Sequence, residues 1–137
     1  MLKTILITFL AAAAALAQNA PAKAKTLTRS ELDQLLASPD KVLLIDVRRP
    51  DEISANGGFP VYLSIQLAEL EKHLDAIPRD RVIVTISNHA GRGAKAADLL
   101  ASKGFNVAGT AGAQTYEKEG GTLAKIAVPQ KAQTAEK

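Results

Sequence analysis

Ser87, Asn88, His89, Ala90, Gly91 and Arg92 bring a hydroxyl, an imidazole, a guanidinium and a glycine together directly after the aliphatic run that begins at Val82. Two chemistries suit such a set. A serine attacks a carbonyl or phosphoryl centre only with a base at hydrogen-bond distance, and His89 is the nearby candidate. The two are separated by one residue in a tight loop, and no third residue to orient the imidazole is evident. The other chemistry is binding without turnover. A loop that leaves a buried strand and opens a helix can turn its amides onto an anion, with Arg92 adding charge. A third reading is purely structural, with the loop capping a helix and Ser87 a polar strand end.

The rest of the inventory is spare. The chain contains no cysteine, so neither thiol chemistry nor a disulfide is available within it. Its histidines are His73 and His89, which leaves a metal site without ligands, and no metal or cofactor is expected. Asp46, Arg48 and Glu52 read as structural, through an ion pair or a cap at a strand end. Lys95 falls in the first turn of the helix after the loop, where a solvated lysine is the ordinary outcome.

Elements that could position the loop follow from periodicity. Thr28 and Glu31 fit a capping box ahead of a helix with Leu32, Leu35 and Leu36 on one face, ended at Ser38-Pro39-Asp40. Residues 41–47 and 82–86 are continuous aliphatic runs of strand length, as expected for strands covered on both faces. Between them lie a helical turn at 50–55, a glycine loop at 56–60 and a helix at 67–76 carrying Leu67, Leu70 and Leu74. Residues 93–103 read as a helix closed by Gly104 in the left-handed conformation, and 105–108 as a third strand. Strands alternating with helices at this spacing predict an α/β fold with a mainly parallel sheet.

At 137 residues, 47% hydrophobic and 23% charged, the chain is sized for one folded unit with an aliphatic core. Residues 1–17 carry Lys3, an apolar run and Ala15-Leu16-Ala17, the three parts of a secretory signal. The apolar run is shorter than the ~20 residues that cross a bilayer as a helix, so no stable membrane anchor is expected after cleavage. That segment holds one lysine and no acid, so its removal takes the formal charge from +3 to +2. No nucleic-acid signature accompanies it. The expected organisation is a leader at 1–17, a flexible lead-in at 18–26, a domain at 27–123 and a disordered tail at 124–137, in a periplasmic or secreted protein.

The stretches at 43–52, 57–60 and 82–107 together resemble the rhodanese-like domains, the fold of the thiosulfate sulfurtransferases. The similarity covers roughly residues 27–123 and implies a three-layer α/β fold with helices on both faces of the sheet. In that family the loop after the strand at 82–86 begins with a cysteine that carries sulfur as a persulfide, followed by two residues, a glycine, one residue and an arginine. Ser87 falls at the cysteine position and Ala90 at the glycine position, with Arg92 kept. The family's glycine-histidine-isoleucine-proline loop stands here as Gly57-Gly58-Phe59-Pro60, and its glycine-rich segment after the last strand as the stretch 109–116. Serine cannot carry a persulfide. The resemblance therefore implies a module without sulfurtransferase activity that binds a small oxyanion or a protein partner in the envelope. The alternative is a hydrolase using Ser87 with His89.

Overall fold

The computed structural model describes residues 23–60 and 62–125. The expected leader and most of the expected tail lie outside them. Along the chain come α1 (Arg29–Leu36), β1 (Val42–Asp46), α2 (Pro50–Asn56), β2 (Leu63–Ser64), a 3-10 helix (Leu67–Ala76), β3 (Val82–Ser87), α3 (Gly91–Ser102), β4 (Val107–Gly112) and α4 (Ala113–Lys118). The sheet is parallel throughout, in the order β2-β1-β3-β4.

Alternation along the central strands explains their unbroken aliphatic runs, because each face of the sheet has its own cover. Val42, Leu44, Val84 and Ile86 face a cluster with Leu32 of α1, Phe59 and Leu123. Ile45 and Ile83 face the opposite way, onto Leu70 and Ile77 and onto Ala96 and Leu100 of α3. The result is a three-layer α/β fold. Helix α1 begins as its residues dictate, with the Glu31 amide donating to Thr28 Oγ1 at 3.3 Å and the Thr28 amide to Glu31 Oε2 at 2.9 Å. Lys25 and the Thr28 amide hold the Glu31 carboxyl down at about 2.

Several elements differ from expectation. Residues 67–76 form a 3-10 helix broken at His73 (φ −116°, ψ 19°) rather than a regular α-helix. Leu67 and Leu70, three apart, stack on one side in that tighter winding, which brings Leu70 to full burial. The last strand starts at Val107 and runs to Gly112, beyond the expected 105–108. Phe105 instead closes α3, its amide donating to the Leu100 carbonyl at 3.1 Å, with Gly104 left-handed at φ 84° as expected. Helix α4 and the short β2 were not foreseen. Lys25 and Leu27, at the border of the lead-in, pair with Thr110 on β4 through bonds of 2.9 and 2.8 Å.

Candidate functional site

The loop lies at the carboxyl end of β3, beside the carboxyl end of β1, where open parallel sheets hold their ligands. After Ser87 the chain turns through Asn88, His89 and Ala90 and enters α3 at Gly91. Ala90 takes the left-handed conformation (φ 68°), which costs a residue with a Cβ about 1 kcal/mol. Its carbonyl then accepts from the Ala94 amide at 2.7 Å and starts the helix.

Strand pleating puts Thr85 and Ser87 on the same side, beneath the first turn of α3, where a side chain must either be apolar or find a partner. Ser87 Oγ accepts from the Gly93 amide at 3.1 Å, and Thr85 Oγ1 donates to the Gly93 carbonyl at 2.6 Å. Thr110 Oγ1 of β4 donates to the Thr85 carbonyl at 3.0 Å. All three side chains are buried, Ser87 at 1% exposure. Helix and sheet approach so closely here that a Cβ on Gly93 would stand 2.2 Å from Thr110 Oγ1. The Ser87 hydroxyl thus does the work of a helix cap from below.

A second polar system flanks the loop on the other side. Arg48, fully buried, donates from Nε to Asp46 Oδ1 at 2.9 Å and from Nη2 to Asp46 Oδ2 at 2.7 Å. The same Nη2 reaches the Gly57 carbonyl at 3.0 Å, and Nη1 reaches Asn88 Oδ1 at 3.1 Å. Asn88 Nδ2 donates in turn to Glu52 Oε1 at 3.1 Å. Glu52 also receives both Arg92 nitrogens, at 2.8 and 2.6 Å, and the Arg49 amide at 3.0 Å, which caps α2. The Arg92 guanidinium holds the Glu52 carboxyl down at about 2, and Glu52 raises Arg92 in return. Arg92, expected to lend charge to an anion, is therefore already matched by a carboxylate.

Ser87 and His89 do not make a nucleophile and base. Ser87 points down into the core and is satisfied by Gly93, whereas His89 is exposed at the loop tip. Among the described residues no hydrogen bond joins them. Among the described residues, the amides of Asn88, His89, Ala90, Gly91 and Arg92 form no hydrogen bond. A cavity of about 60 Å³ beside the loop is lined by His89 and Ala90 with Leu27, Leu32, Gly112 and Tyr116. Lys95 is exposed, and His73 sits far along the 3-10 helix. No group of three or more metal-ligating side chains occurs among the described residues. Thr85, Gly93 and Thr110 were not singled out from the sequence, although Thr85 and Ser87 at strand spacing were the available signal.

The family model of the Rhodanese-like domain matches residues 28–121. The chain belongs to the rhodanese-like family. Ser87 stands at this family's cysteine position, in a chain that has no cysteine. A protein of Allochromatium vinosum named "Sulfurtransferase" is 34% identical over 74 residues, 54% of this chain and 68% of that protein. Among solved structures, a rhodanese-related protein from Thermoplasma volcanium superposes with a TM-score of 0.66 at 23% identity, covering 74% of this chain and 99% of the other. At that identity it speaks for the fold alone. The polysulfide-sulfur transferase homodimer of Wolinella succinogenes superposes with a TM-score of 0.65 at 25% identity, covering 86% of this chain and 90% of that one.

Proposed function

We propose that this protein is an exported rhodanese-like module that transfers no sulfur and uses the loop at 87–92 to hold a small oxyanion or an envelope protein. The observation that carries the reading is the Ser87 hydroxyl, buried at the family's cysteine position and engaged by the Gly93 amide. An alcohol is not appreciably ionised at neutral pH, and the thiolate is the species that accepts sulfur. In this reading the loop amides that form no hydrogen bond among the described residues, at the N-terminus of a helix, are the donors for a negatively charged group.

The test has two arms. Purified protein incubated with thiosulfate and cyanide gives no thiocyanate above background, and sustained turnover by a preparation free of other proteins overturns the reading. Thermal unfolding with sulfate, phosphate or thiosulfate shows a concentration-dependent rise in Tm, and no rise with any of them removes the oxyanion arm. Export rests on the Lys3, apolar-run and Ala15-Leu16-Ala17 pattern, and the mature chain then begins at or near Gln18. Intact mass decides this, a full-length mass in the membrane fraction being the contrary result.

A further inference from the structure

Outside the parallel sheet, one isolated antiparallel bridge joins Gly58 to Ala124 near the end of the described residues. It has both of its hydrogen bonds, Gly58 amide to Ala124 carbonyl at 2.9 Å and Ala124 amide to Gly58 carbonyl at 2.8 Å. Leu123 plugs the adjoining core beside Phe59, and Lys125 Nζ reaches the Asn56 carbonyl at 3.3 Å. The turn beneath is built to receive this strap. Gly57 has φ 81°, and a Cβ there would stand 2.9 Å from the Ala124 carbonyl oxygen.

From that turn the contacts run without a gap to the loop. The Gly57 carbonyl accepts from Arg48 Nη2, and Arg48 Nη1 donates to the side chain of Asn88, the first loop residue after Ser87. The Asn88 carbonyl in turn accepts the Gln114 amide at 3.1 Å, at the start of α4. We infer that Leu123, Ala124 and Lys125 form a strap that positions the loop at 87–92 through Gly57, Arg48 and Asn88, so that opening the strap loosens the binding site. The functional meaning rests on the loop being the binding element, as proposed above. The strap holds through one backbone bridge, and local opening of such an element supplies the network's second state. With the strap open, the Gly57-Gly58 turn loses the contacts that fix it, and the Arg48 guanidinium, still paired with Asp46, loses the carbonyl acceptor that ties it to that turn.

The test reads the loop without any ligand, so that it stands or falls separately from oxyanion binding. In the full chain, Ala124→Pro deletes the amide that donates to Gly58. Leu123→Ala loosens the same strap by a different route. Ile77→Val, in the core cluster on the opposite face, supplies a destabilised control outside the network. Hydrogen exchange is followed at the Gly93 and Gln114 amides, whose acceptors are Ser87 Oγ and the Asn88 carbonyl, and at central amides of β1 and β3. Either strap variant speeds exchange at Gly93 and Gln114 by roughly 10-fold or more beyond any change at the β1 and β3 amides, whereas the control moves all of them together. Exchange at Gly93 and Gln114 that is unchanged in both strap variants, or that rises only by the factor seen in β1 and β3, overturns the inference.

Discussion

Replacing Glu52 by glutamine tests whether the flanking ion pair holds the loop as the geometry says. Glutamine keeps the shape and one acceptor oxygen but cannot match the charge of Arg92, whose nitrogens lie 2.8 and 2.6 Å from the carboxylate. A carboxyl held at about 2 rather than 4.5 would be worth ~3 kcal/mol if fully shielded from water. Arg92 is 37% exposed and Glu52 15%, so solvent screening reduces this to about 1–2 kcal/mol. The sign follows from linkage. A group whose folded pKa lies below its unfolded value stabilises the fold above the unfolded pKa and loses that stabilisation as pH falls through the folded one. Wild type therefore exceeds Glu52→Gln by about 1–2 kcal/mol near neutral pH. The gap begins to close below pH ~4.5 and has mostly gone by pH ~2.5. Urea unfolding followed by circular dichroism across that range measures both curves. Equal stabilities at neutral pH, or a gap that stays constant down to pH ~3, would refute the account of Arg92 as a residue matched inside the protein.

Three further outcomes follow from the loop. Ser87→Ala leaves the Gly93 amide buried without an acceptor and lowers unfolding stability by about 1–3 kcal/mol, read by denaturant titration. Ala90→Gly removes the left-handed strain and, after the entropy glycine costs the folded state, raises stability by roughly 0.5–1 kcal/mol by the same measurement. Ser87→Cys places a thiol against the Gly93 amide at the start of α3, so its alkylation midpoint falls below the free value of about 8.5. Its absolute rate stays below that of an exposed cysteine because the site is buried. An ordinary midpoint would mean that the Gly93 amide does not serve the sulfur.

The parts of the fold that were legible were those whose cause is local. Thr28 and Glu31 fix the start of α1 within a few residues, and the runs in β1 and β3 announce strands covered twice because their side chains on both faces are aliphatic. What escaped depends on partners distant in sequence. Strand β2 is two residues long and exists because Leu63 and Ser64 find Ile45 and Asp46 in register. The carboxyl half of β4 is glycine, threonine and alanine, a composition without strand signal that is required because α3 lies close over it. Likewise the loop at 87–92 was legible as a loop, but the destinations of its side chains were not. Asn88 meets Arg48 and Glu52, which lie 40 and 36 residues away along the chain.

The combined geometry explains why serine is a coherent occupant of the cysteine position. A cap beneath α3 needs a small acceptor that tolerates burial, and a neutral hydroxyl meets that need with no charge to desolvate. A thiolate at the same depth would need its negative charge balanced. Both guanidiniums in reach of the loop, Arg48 and Arg92, are already matched by Asp46 and Glu52. The formal charges of these four side chains sum to zero, so the amides at the head of α3 carry the electrostatic burden alone.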